Sequence, residues 1–148
     1  MKSFSRDEVE AAFRDFVAMG DRCAETGDWS PWADIHSEDG LWVEHHLGTQ
    51  RGRDEIRRVI CEVMKPVPMM FFPVEWFMIE GNRVASYIWQ QMPDPKGGGE
   101  VYRFGNITVL EYAGGGLWSF QEDVYNPVEA QEMMKRWMAA GGVLAPAS

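Results

Sequence analysis

Apolar residues along this chain follow two different periods. Before Pro66, and again near the end, they recur every three or four positions; between Met69 and Tyr125 they form strand-like runs. In the first helical stretch, Val9, Ala12, Phe13, Phe16, Gly20 and Cys23 make one stripe. Ser5 and Glu8 fit a capping box, with Phe4 and Val9 as its hydrophobic staple, so a helix is predicted from near Arg6. Gly27 ends it. Ser30-Pro31 reads as an N-cap followed by proline, which predicts a short helix through Ile35 packed down by Trp29, Trp32 and Ile35. After the turn at Asp39-Gly40, Leu41 to Gly48 reads as a short strand. A third helix runs from about Arg53 to Met64 on a stripe of Ile56, Val59, Ile60 and Val63, and Pro66 stops it.

The runs Met69–Ile79, Val84–Met92, Val101–Tyr112 and Leu117–Tyr125 predict four strands. They are separated by Gly81-Asn82, by a loop from Pro93 to Gly99, and by Ala113-Gly114-Gly115-Gly116. Asn126-Pro127 caps a last helix whose stripe is Ala130, Met133, Met134, Trp137 and Met138. Three helices around one strand, then a four-strand meander, is an α+β arrangement. A single domain over residues 1–140 is expected, with 141–148 a frayed tail. Several later strands are apolar on both faces, and the helices cover only one. A homodimer through the outer sheet face accounts for the other.

Charge and composition narrow the function. A net charge of −9 disfavours nucleic acid and anionic membranes as partners. No apolar run reaches the length of a membrane span. The N-terminus turns charged at once, so no signal peptide is expected and a cytoplasmic location is. Cys23 and Cys61 both fall in predicted helices and read as buried free thiols. No metal-ligand spacing and no phosphate-binding glycine motif occur, so neither metal nor cofactor is expected. Ten Met, eight Phe and seven Trp are an unusually heavy load of large, adaptable side chains, and the Met69-Met70-Phe71-Phe72 run suggests a wall that reshapes to a small hydrophobic molecule of irregular shape.

Candidate chemistry centres on Leu41-Trp42-Val43-Glu44-His45-His46. Alternation places Leu41, Val43 and His45 on one face and Trp42, Glu44 and His46 on the other. His45 is then a titratable group on an apolar strand face, able to act as a general base. His36 lies in a polar turn. Asp21 sits on the flank of the first helical stripe. Glu122 and Asp123 are neighbours, so only one of them can face a pocket.

Gly27-Asp28-Trp29, the segment from Gly40 to Gly48, Arg51-Gly52-Arg53-Asp54-Glu55-Ile56 and Gly116-Leu117-Trp118-Ser119, in this element order, resemble the SnoaL-like branch of the nuclear transport factor 2-like superfamily. The resemblance implies a cone-shaped curved sheet, mixed or antiparallel, wrapped around helices with a pocket inside. It implies a cofactor-independent acid–base enzyme of isomerase, dehydratase or cyclase type acting on a small ring-bearing molecule. The alternative is a non-catalytic binding module or a dimeric interaction scaffold. His45 matches the position of the catalytic aspartate in ketosteroid isomerases. Asp21 resembles the first-helix aspartate of scytalone dehydratase, and Asp123 a last-strand catalytic aspartate of limonene epoxide hydrolase. Asn106 resembles a substrate-binding asparagine of scytalone dehydratase. On this reading His45 is the base, Asp21 or Asp123 orients it, and Asn106 steadies a developing oxyanion. Trp29, Trp32, Phe72, Val43 and Tyr125 complete the substrate-binding set.

Overall fold

The computed structural model describes residues 2–147. Helix α1 spans Arg6–Thr26, and the predicted cap is in place: the Ser5 side chain accepts from the Glu8 amide at 3.1 Å. The stripe from Val9 to Cys23 is buried as expected, and Gly27 closes the helix at φ 76°, a conformation glycine adopts without strain. Ser30–Ile35 forms a 3₁₀ helix, with Trp29 rather than Ser30 at its cap position. Two bonds set that boundary. Asp28 Oδ1 accepts from the Ser30 amide, and the Trp29 indole N–H donates to the Pro68 carbonyl.

Strand β1 runs His36–Glu44 and β2 runs Gly48–Arg51; α2 is Arg53–Met64. Strands β3 (Val74–Glu80), β4 (Arg83–Met92), β5 (Tyr102–Gly114) and β6 (Leu117–Tyr125) form the predicted meander, and α3 is Pro127–Ala139. The first meander strand starts five residues later than the apolar run suggests. Pro68 and Pro73 cannot donate to a ladder, and the segment turns instead through a Met70 N–H to Val67 carbonyl bond. Phe71 pairs early, with Gln91, and the Pro73 carbonyl accepts from the Trp89 amide.

The six strands make one curved, open sheet in the order β2-β1-β6-β5-β4-β3. All neighbours are antiparallel except β1 and β6, which are parallel. That pairing brings the first strand beside the last. Its register shifts between His36 and Leu41: five residues of β1 are spanned against two of β6, a pronounced bulge. Gly40 sits in it, where an added Cβ would lie 3.0 Å from the Ser37 carbonyl oxygen.

The expectation that Leu41, Val43 and His45 face the core is reversed. Trp42 and Glu44 are buried, while Leu41 and Val43 are half-buried on the opposite face. The strand ends at Glu44, so His45 and His46 occupy an exposed turn. His36 is fully buried at the start of β1, not in a polar turn. Cys23 is buried, but Cys61 is exposed, one residue past the buried Ile60 on α2; both thiols are free. Burial pushes the Cys23 thiol up to about 11, so it stays protonated at neutral pH.

The core lies between the inner sheet face and α1, the 3₁₀ helix and α2. Helix α3 packs Met133 and Trp137 inward beside β5, while Met138 at the end of its stripe is half exposed. Beyond Ala140 the chain has no regular structure, yet the Ala145 amide donates to the Pro66 carbonyl at 2.9 Å. Among the described residues, no helix is long and apolar enough to cross a membrane.

Candidate functional site

The inner face of the sheet is not uniformly apolar. In register across β1, β6, β5 and β4 lie Glu44, Asp123, Thr108 and Ser86, all buried. Alternation alone places all four on the helix-covered side. Buried polar groups need partners: Thr108 donates to Asp123, Ser86 to the Thr108 carbonyl, and Glu44 accepts from the His46 amide.

Asp123 is the hub. Its Oδ2 accepts from the Trp42 indole N–H at 2.7 Å and from the Gln121 amide at 2.9 Å. Its Oδ1 accepts from the Thr108 hydroxyl at 2.6 Å and from the Asn106 amide at 3.1 Å. A carboxylate offers about four acceptor positions, and these four donors fill them. Each donor is itself held. Asn106 also donates to the Thr108 hydroxyl oxygen at 2.8 Å, and His36 Nε2 donates to Gln121 Oε1 at 3.0 Å, which orients that amide toward Asp123. Burial holds the His36 imidazole below its ordinary pKa and keeps it neutral, so it serves as a donor rather than a charge.

Glu44 is the Cα partner of Asp123 on the parallel neighbour, about 4.8 Å away by strand spacing. Unlike Asp123 it is lightly bonded. The His46 amide donates to its Oε1 at 2.7 Å, and Tyr125 lines the cavity beside it. Burial, followed by the negative charges of Glu44 and Asp123, pushes the Tyr125 phenol up to about 12. It is therefore a secure proton donor at neutral pH.

These groups form the polar end of a cavity of about 130 Å³, roughly the room that takes one benzene-sized ring. Its walls are apolar. Phe16 and Gly20 come from α1, Trp29 from the cap of the 3₁₀ helix and Trp32 from within it, Ile60 and Met64 from α2, and Phe72 from the turn before β3. Phe72 meets Trp29 edge-on at 5.4 Å, and Trp32 meets Trp42 edge-on at 5.2 Å. Among the described residues no three of His, Cys, Asp and Glu converge as metal ligands would.

The cavity brings together six of the residues singled out from the sequence: Asp123, Asn106, Tyr125, Trp29, Trp32 and Phe72. Three lie outside it. Val43 points to the other side of the sheet. Asp21 is exposed on α1 beside Gly20; partial burial and the nearby Glu25 carboxylate raise its pKa. His45 is exposed and bonds Glu122 Oε2 at 2.7 Å on the outer rim. His46 stands at the edge, its ring 5.0 Å from that of Tyr125.

A family model described as SnoaL-like domain matches residues 13–120. The chain belongs to the SnoaL-like family. No curated protein matches it. Solved structures with a similar fold include a protein assigned as a SnoaL-like polyketide cyclase from Jannaschia sp. CCS1. It is 13% identical with TM-score 0.67, over 90% of this chain and 96% of that one. An LEH-like epoxide hydrolase from M. tuberculosis is 14% identical with TM-score 0.66, over 90% and 94%. A protein of ketosteroid isomerase-like fold from Catenulispora acidiphila DSM 44928, crystallised with trimethylamine, is 17% identical with TM-score 0.60, over 82% and 88%. At these identities the likeness concerns fold alone.

Within this SnoaL-like chain, sequence reasoning missed Glu44, Trp42, Thr108 and Gln121. A signal for them existed. Thr108 and Gln121 share strand faces with Asn106 and Asp123, two of the residues the sequence points to, and Glu44 shares a face with Trp42.

Proposed function

We propose that this SnoaL-like protein is a cofactor-independent acid–base enzyme acting on a small, mostly apolar molecule with one oxygenated end. The carrying observation is the unequal loading of two adjacent buried carboxylates. Asp123 has its lone pairs occupied by four donors, whereas Glu44 keeps acceptor capacity. Asp123 is then a fixed charge that organises the floor, and Glu44 is the base. Tyr125, held protonated, donates to a developing oxyanion or returns the proton. Base and donor face an apolar cavity, where electrostatic effects are stronger than in water. Isomerisation, dehydration and cyclisation next to a carbonyl all use this pair of roles.

The protein works, on the same reading, as a homodimer in the cytoplasm. The dimer rests on the outer sheet face, where Trp76, Ile107 and Val124 are exposed; the exposed free thiol of Cys61 suits a reducing compartment.

Exchange in D₂O tests the chemistry without knowing the substrate. Small cyclic enones and hydroxyketones of about one ring should gain deuterium beside the carbonyl when the protein is present. Glu44→Gln should slow that exchange by about 10²–10⁴-fold while leaving binding in place. Equal exchange by the wild type and the variant would remove Glu44 as the base. Saturable binding with no exchange would favour a non-catalytic binder, a reading that the self-satisfied network around Asp123 also supports.

A further inference from the structure

One wall of the proposed site is built from a residue that its own helix disfavours. Gly20 lies inside α1, is buried, and lines the cavity. Glycine weakens a helix interior relative to alanine, because it gives up more backbone freedom on folding. Two ordinary reasons for keeping a glycine do not apply here. Its φ is not positive, so the backbone needs no conformation closed to alanine. Nor is space short: an added Cβ would meet Phe72 Cδ2 at 4.0 Å, an ordinary van der Waals distance. Gly105 shows the contrast, since a Cβ there would run into the Tyr87 hydroxyl.

The second observation is what the bare position opens onto. Of the three α1 residues that line the cavity, Phe16 and Val17 present side chains and Gly20 presents backbone. Phe72 forms the other side of that corner. The polar groups of Asn106, Thr108, Asp123 and Tyr125 come from β5 and β6, and α1 covers the same core from the helix side. A ligand whose oxygen meets the strands therefore turns its far end toward α1. In a cavity of about 130 Å³, one extra methyl group takes a sizeable share of the room.

We propose that Gly20 is the specificity-determining position of this site, where the apolar end of the ligand rests against the bare α1 backbone beside Phe72. The ligand is then an oxygenated six-membered ring, seated with the ring carbon remote from its oxygen at Gly20. This rests on the pocket reading above and specifies the size and orientation of its ligand. Gly20 touches no reacting atom; it selects by volume.

Three ketones that differ by one methylene each, cyclobutanone, cyclopentanone and cyclohexanone, test the size limit when titrated at pH 7 and followed by protein NMR shifts. In the wild type, affinity should grow with ring size. Gly20→Ala should raise the thermal midpoint by about 2–4 °C, because the helix gains a better former. The same variant should bind cyclohexanone about tenfold or more weakly, the usual worth of one methyl group in a tight apolar pocket, and cyclobutanone within about threefold of the wild type. A raised midpoint with an unchanged order of affinities overturns the proposal, because Gly20 then stands clear of the ligand. A midpoint that does not rise also overturns it, because the glycine then serves the packing of α1. Wild-type affinity that does not grow with ring size removes the size limit itself. In these three cases the acid–base pocket stands. Binding of none of the ketones by the wild type overturns the pocket reading and this inference with it.

Discussion

The two faces of the sheet use the same strands for opposite purposes. On the inner face, Glu44, Asp123, Thr108 and Ser86 form a polar row inside an apolar core. On the outer face, one residue further along, Trp76, Tyr87, Ile107 and Val124 form an apolar row, with three of the four exposed. Around it, Trp89 bonds Glu75 through its indole and carries the Arg103 guanidinium 3.9 Å from its ring centre, and Met78 is 63% exposed. Polarity by itself would therefore misassign inside and outside. A buried polar row is tolerable because each member has a partner; an exposed apolar row is tolerable when another surface covers it.

The largest effect expected from breaking this contrast is on the inner row. Asp123→Ala leaves four buried donors without their acceptor. A loss of about 3–5 kcal/mol is expected, read from the denaturant midpoint, as for other buried charges removed from their partners. A loss below about 1 kcal/mol would mean that the network does not hold the floor. On the outer row, Ile107→Glu places a charge at the centre of the proposed interface. It should weaken self-association by about 2 kcal/mol and move sedimentation from twice 16.9 kDa toward 16.9 kDa. An unchanged mass would remove the outer face as the interface.

Tyr125 gives a smaller, pH-dependent effect. Its folded pKa lies above the ordinary 10, at about 12. The protonated phenol therefore favours the folded state below pH 10, and that contribution is lost as pH rises from 10 through about 12. Tyr125→Phe should remove the tyrosinate absorbance that appears near pH 12 and flatten the stability loss over that window. Any remaining slope belongs partly to Tyr112, whose phenol is also raised by burial. The smallest effect is His45→Gln. Its bond to Glu122 is half exposed, so stability should change by less than about 1 kcal/mol and ligand binding not at all. A tenfold loss of binding would return His45 to the site.

Most of the fold was legible in the sequence. Caps at Ser5 and Asn126, the stripes of α1 and α2, and the glycine turns between strands are local signals, and they mark element boundaries to within a few residues. The site was legible only in part. Asn106, Asp123 and Tyr125 lie on regular strands, where alternation holds. On β1 alternation holds from Leu41 to Glu44 as well, but both faces carry large apolar side chains, so nothing local says which is inner, and the strand ends before His45. Nor does any local pattern show His36 reaching across to Gln121, 85 residues away.

The parallel pairing of β1 with β6 also orders events in time. The meander from β3 to β6 consists of hairpins between sequence neighbours, which close quickly. Trp42 and Asp123, in contrast, are 81 residues apart, and they meet only when the first strand docks on the last. The acid pair therefore assembles late in folding, by the slowest kind of contact to form. A chain arrested with its meander complete would show sheet, and even an apolar surface, but no Asp123 hub and no Glu44 beside it. Ligand binding then reports the completed molecule rather than its parts.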